Sequence, residues 1–241
     1  MNKQSGFSLI EIMIALLIGV FLLGGMLQIF SVSQQTYRMQ SNLARLQENG
    51  RFALDFLAHD IRMVGYWGCM TSSTSDISGT DGTHDSITIQ GSFDLTPTGL
   101  CGSPVNSANS CGTVNCYTDL KSTITYKIAI PAATPSSPNP NITLYRNTNN
   151  VSNPLIEGIQ DMQILYGIDT NVDEVADYYV PAYSNMQQVV SVRISLLVAT
   201  LDDHLSIQPM AYIYNGVTTL PTDYKIRRIF NTTVTLRNHL S

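Results

Sequence analysis

From Phe7 to Phe30 the chain is a 24-residue, largely apolar run whose one charged residue is an acid near its start, Glu11, preceded by a polar leader ending at Gly6. About 20 apolar residues suffice to cross a bilayer as a helix. In lipid the backbone must satisfy its own polar groups, so this run has to be helical. Glu11 is then the anomaly, because a carboxylate at membrane depth costs at least ~2.5 kcal/mol and demands a partner. The nearest candidate lies four residues upstream on the same helical face, the backbone nitrogen of Phe7. It becomes a cationic amine if the chain is cut after Gly6. A secretory signal has a shorter apolar region of roughly 7–15 residues before a small-residue cleavage site, for which only Ser31-Val32-Ser33 would serve. A plain membrane anchor fits the length but has no use for Glu11.

Beyond Phe30 the chain turns polar yet keeps a helical period. Met39, Leu43, Leu46, Gly50, Ala53, Leu57, Ile61 and Val64 recur at three- and four-residue steps, which predicts one apolar stripe on a continuing helix. No proline interrupts Phe7 to Val64, a rod of about 87 Å at the α-helical rise. Gly19 and Gly24-Gly25 are candidate bending points, whereas Gly50 and Ala53 are small enough to let another element approach closely. Arg62 suits a helix C-terminus, and Gly65 and Gly68 supply its stop.

Strand and turn signals take over after Cys69. Thr71 to Gly82 is rich in Ser, Thr, Gly and Asp and reads as loop. Strands are expected at Ser86–Gln90, Thr123–Ile130, Ile142–Arg146 and Gln160–Ile168. Val190–Val198 and Phe230–Leu236 alternate apolar and polar residues, the mark of strands with one face on a core. Pro131, Pro135, Pro138 and Pro140 exclude a central strand between the second and third of these. The fold class is α+β, a long N-terminal helix packed on an antiparallel sheet.

At 241 residues, 44% hydrophobic and 13% charged, the chain suits one tethered domain of moderate size. The formal charge of −5 becomes −6 when a cut after Gly6 removes Lys3, leaving 12 basic against 18 acidic side chains. With no basic tract beyond Arg227-Arg228, a nucleic-acid partner is not expected. Cys69, Cys101, Cys111 and Cys116 all follow the apolar run, an even count that suggests disulfides in an oxidising compartment. Four cysteines allow three pairings and the sequence does not choose, although Cys111–Cys116 with Cys69–Cys101 is preferred. Zinc is the rival, and the spacing lacks paired C-x-x-C knuckles.

Asp169, Asn171, Asp173 and Asp177 place oxygen donors as a calcium loop would, with the Val175 carbonyl as a fifth. The helix-loop-helix calcium motif needs Gly and an acid where this chain has Glu174 and Val180, so a solvated acidic hairpin turn is the preferred reading. The histidines are scattered, and no nucleophile elbow, phosphate loop or dinucleotide fingerprint occurs. Catalysis is not expected.

Gly6-Phe7-Ser8-Leu9-Ile10-Glu11 resembles the processing signal of type IV pilins and type II secretion pseudopilins. The resemblance implies a pilin-like fold, cleavage after Gly6 and N-methylation of Phe7 by a prepilin peptidase, and pairing of Glu11 with the N-terminal amine of a neighbouring subunit. The implied organisation is a leader at 1–6, a transmembrane helix at 7–30, an amphipathic continuation at 31–64 and a β-rich head at 65–241. Leu46–Leu54, Asp60–Cys69, Tyr166–Asp169, Val190–Val198 with Arg193, and Arg227–Asn238 are similar to the PilW family of minor type IV pilins, with roughly 70–155 unmatched. That family implies assembly with other minor pilins and the major pilin. The chain would start in the bacterial inner membrane with its head in the periplasm, then reach the pilus tip, where a tip adhesin is a further partner. A J-type type II secretion pseudopilin and a pilus-borne adhesin are the alternatives.

Overall fold

The computed structural model describes residues 8–66, 76–91, 122–132, 141–182 and 186–237. Its contacts divide the chain into two units, Met1–Ala44 and Arg45–Ser241. One helix, α1 (Leu9–Arg62), contributes to both, and its hydrogen-bonded pattern continues through Gly19, Gly24 and Gly25. In the first unit the apolar residues from Leu9 to Phe30 lie open on every side, as expected of a segment whose solvent is lipid or a neighbouring helix.

In the second unit the expected stripe is the buried one. Leu46, Gly50, Ala53, Leu57, Ile61 and Val64 are all buried, while Arg51, Phe52, Asp55 and Phe56 between them are exposed. The helix ends at Arg62, and Gly65 follows with φ 74°, a left-handed conformation that glycine adopts without strain.

Eleven strands follow among the described residues. The five-stranded sheet is an antiparallel meander of β1 (Ile77–Thr80), β2 (Ser86–Gly91), β3 (Ser122–Ala129), β4 (Thr143–Thr148) and β5 (Val151–Glu157). A second sheet has the order β11-β8-β6-β7, from β6 (Ile159–Ile168), β7 (Tyr178–Val180), β8 (Val189–Ala199) and β11 (Arg227–Thr235). Between β8 and β11 the chain makes a small hairpin of β9 (Tyr212–Tyr214) and β10 (Val217–Thr219). One apolar cluster joins the helix stripe to both sheets, with Ile87, Ile89, Ile124, Ile164, Val192, Ile194 and Val234 among its members.

The two sheets are tied at β6. Asp85 donates its backbone N–H to the Met162 carbonyl at 2.9 Å, and its buried carboxylate accepts from the Ile164 N–H at 2.7 Å and the Gly82 N–H at 3.0 Å. Burial pushes the Asp85 carboxyl above its usual range, against the lowering effect of those two amides. Gly158 makes the corner from β5 into β6. It sits at φ 85°, and a Cβ there would lie 2.8 Å from the Ala199 carbonyl oxygen, so no other residue fits without strain.

All six expected strands are present, with ends shifted by up to three residues. Five further strands, β1, β5, β7, β9 and β10, were not expected, and two of them are instructive. Thr71–Gly82, read as loop, contains β1. Only Ile77 of its four residues is fully buried, so apolar alternation is absent, and pairing with β2 makes the strand. The other is β5, which contains Pro154. It lies at the sheet edge, where a missing N–H costs no ladder bond.

At Gly50 the helix packs tightly against Phe230 of β11. A Cβ there would stand 2.5 Å from the Phe230 ring. Gly50→Val should therefore cost about 1–3 kcal/mol in urea unfolding, because overpacking outweighs the helix propensity gained over glycine. A Gly50→Val, Phe230→Leu pair should recover part of the loss.

Arg227 serves structure rather than a charged surface. Its guanidinium is nearly buried, grips the Asp223 carboxylate at 2.8 and 2.6 Å, and donates to Gln160 at 2.7 Å. The Arg227 hydrogen bonds hold the Asp223 carboxyl below its ordinary range despite opposing desolvation. A depressed carboxyl contributes stability in full above its unfolded value of about 3.9 and loses it as pH falls through the folded value. The urea midpoint should accordingly drop on acidification below about pH 4, and Asp223→Asn should flatten that part of the profile.

Candidate functional site

Glu11 lies in the first turn of α1, where its backbone N–H donates to the Ser8 carbonyl at 3.1 Å. A carboxylate at a helix N-terminus complements the exposed amides there. Its neighbours Leu9, Ile10, Ile12 and Met13 are more than half exposed, and no described residue forms an ion pair with it. α1 is long and apolar enough to cross a membrane. A lone acid on such a surface can be neutralised by a cation from outside the chain, or from the residues before Ser8. Gly6 and Phe7 lie outside the described residues, as do Cys69, Cys101, Cys111 and Cys116.

The acidic segment 169–177 connects β6 to β7 as an antiparallel hairpin. Its side chains turn inward on their own backbone. The Asp169 carboxylate accepts from the N–H groups of Asn171, Val172 and Glu174 at 3.0, 2.7 and 2.8 Å. Asn171 accepts from the Asp173 N–H and Asp173 from the Val175 N–H, at 3.1 and 2.9 Å. Asp177 accepts from both the N–H and the hydroxyl of Thr170, and those bonds hold its carboxyl below the usual range. Local capping of this kind lets Val172 and Glu174 adopt positive φ, 63° and 66°. Among the described residues no group of three or more His, Cys, Asp or Glu side chains is arranged to hold a metal ion.

Sequence reasoning missed one buried polar cluster. Asp60, near the end of α1, accepts from the Tyr126 hydroxyl of β3 at 2.6 Å and from Arg146 Nε of β4 at 2.8 Å. Arg146 also donates to the Thr148 hydroxyl at 2.8 Å. Burial, and then the Asp60 carboxylate, push the Tyr126 phenol up. Burial alone would lower the Arg146 guanidinium, but the hydrogen bond and charge of Asp60 more than offset it. No local motif announces three residues this far apart. The β9–β10 hairpin, by contrast, carries the two-residue Asn215-Gly216 turn with both φ positive, 50° and 77°, a turn signal that would have found it.

Two family models match the chain. Residues 1–27 match the prokaryotic N-terminal methylation motif, and residues 129–238 match PilW, described as type IV pilus-assembly protein W. The second match begins at the end of β3, earlier than the segments singled out after residue 155, and leaves out the helix end at 46–69. No curated protein matches the chain. Among solved structures, a type IV-like pilin from Thermus thermophilus is similar at 13% identity and TM-score 0.49, over 82% of this chain and 99% of that one. The methylation motif implies processing by a prepilin peptidase and assembly with other pilins, and with the apolar helix it fits membrane anchoring and association with a pilus. The pilin processing motif on its apolar helix and the PilW match on its sheets together support a PilW-type type IV pilin.

Proposed function

We propose that this chain is a minor pilin that joins other minor pilins in the inner membrane, primes polymerisation of the major subunit and stays at the pilus tip. The observation that carries this reading is Glu11, an acid on an exposed apolar helix with no described partner in its own chain. Cleavage after Gly6 gives Phe7 a new amine, and Glu11 of an incoming subunit docks on the amine of a neighbour. The bilayer cost of the carboxylate thereby becomes a force for assembly. The head is exported, and its four cysteines pair as disulfides in the periplasm.

Deleting the gene should abolish twitching motility and surface pili while leaving protein secretion intact. Loss of secretion with normal pili would transfer the chain to a type II secretion system. A bulky residue at Gly6 should leave an uncleaved precursor, seen as a slower band on a gel. Glu11→Val should be inserted and cleaved but should co-purify less with sheared pili. Equal recovery would remove the charge-pairing role.

A further inference from the structure

Exposed sheet edges invite pairing with other chains, and proteins usually blunt them by shortness, proline or cover. Three edges of the two main sheets are blunted here. β1 has four residues, β7 has three, and β5 carries Pro154 in its middle. The fourth edge, β11, runs nine residues without proline and pairs with β8 on one side only.

The ladder tells which groups face outward. Just beyond its two ends, Leu236 donates to the Val190 carbonyl and Thr200 to the Ile226 carbonyl, each at 2.9 Å. Antiparallel pairing alternates, so the even-numbered residues of β11 bond to β8. The N–H and C=O groups of Arg227, Ile229, Asn231 and Thr233 then point to the open side, where no described strand receives them.

Beside this edge lies a groove of about 590 Å³ between β11 and the flank of α1. Leu54, Ala58 and Phe230 give it an apolar floor, and among the described residues Arg51 and Arg228 add two guanidinium groups against the one carboxylate of Asp55. The ion pair between Arg51 and Asp55 is long, at 3.9 Å, and solvent-exposed. A cationic groove on a chain of net charge −5 is a local reversal of sign, and such reversals select oppositely charged partners.

We propose that the open edge of β11 is a docking edge for an extended, acidic strand of another protein. The strand adds to the sheet by main-chain hydrogen bonds and lays its carboxylates along Arg51 and Arg228. A second copy of this chain is the poorer occupant, since edge-to-edge pairing would bring two cationic grooves together. The inference concerns the head alone and does not depend on the pilus reading.

The test uses the full chain in detergent micelles and two synthetic peptides of about ten residues, one alternating Val with Glu and one alternating Val with Lys. Amide exchange is followed residue by residue. The Glu peptide should slow exchange at Ile229, Asn231 and Thr233 by about tenfold or more, and the Lys peptide should not. Asn231→Pro removes an outward N–H while sparing the β8 ladder, and should abolish the protection in a chain with unchanged circular dichroism. Arg228→Glu should weaken the Glu peptide and serves as the variant should the proline prevent folding. Protection by neither peptide, or by both equally, overturns the proposal. So does slowing that rises with protein concentration in the absence of peptide, which would identify a second copy as the occupant.

Discussion

Asp60→Ala should destabilise the head by about 3–5 kcal/mol, the usual cost of breaking a buried ion pair by removing one member. The urea midpoint of the full chain in detergent reads it directly. Asp60 is 7% exposed, and its Oδ2 accepts at once from the Tyr126 hydroxyl and Arg146 Nε. Alanine leaves a half-buried guanidinium with Thr148 alone as a side-chain partner besides the phenol, and leaves the fully buried phenol 3.2 Å from that cation. Arg146→Ala should be severe for the mirror reason, a buried carboxylate that keeps, among the described residues, Tyr126 and a longer contact from solvent-exposed His59 at 3.2 Å. Asp60→Asn should cost less, since an amide oxygen still accepts. The double Asp60→Ala, Arg146→Ala change should cost less than the sum of the two, because neither charge is then stranded. Additive losses would mean that the cluster does not act as a unit.

The second large effect is expected at Gly79, in β1. A Cβ on this residue would run into the Tyr166 hydroxyl and lie 2.6 Å from its ring carbon Cζ. Tyr166 is 1% exposed in the core and β1 is held by its pairing with β2, so neither side yields easily. Gly79→Val should cost about 3 kcal/mol, the upper part of the overpacking range. The Tyr166 hydroxyl also makes no hydrogen bond among the described residues, and burial pushes its phenol up. Tyr166→Phe should therefore stabilise the head by about 1 kcal/mol, since an unsatisfied buried hydroxyl is removed at constant shape. In the Tyr166→Phe background, Gly79→Val should be milder but still harmful, because Cζ remains in the way. If Tyr166→Phe destabilised the head, the hydroxyl would have a partner outside the described residues.

The helix and most strands could be read along the chain because their signals are local. The buried stripe Leu46–Val64 follows from a three- and four-residue period, and β2, β8 and β11 from alternation. β1 and β5 escaped because a partner strand, rather than their own composition, makes them strands. The Asp60 cluster escaped because its hydrogen bonds join residues 66 and 86 positions apart. The donors at Asp169–Asp177 were visible as a pattern, yet only the folded hairpin shows them spent on backbone amides.

By itself the sequence determined that the first stretch is a membrane-length helix carrying one acid near its start, that one face of its continuation is buried, and that the rest is antiparallel sheet. Each of these rests on the cost of exposing or burying particular groups within a few residues of one another. Tertiary structure alone decided which strands became edges, which edge stayed open beside Arg51 and Arg228 among the described residues, and which distant carboxylate, phenol and guanidinium share a site. Those outcomes depend on register and on the order of strands in space, and no periodicity along the chain encodes either.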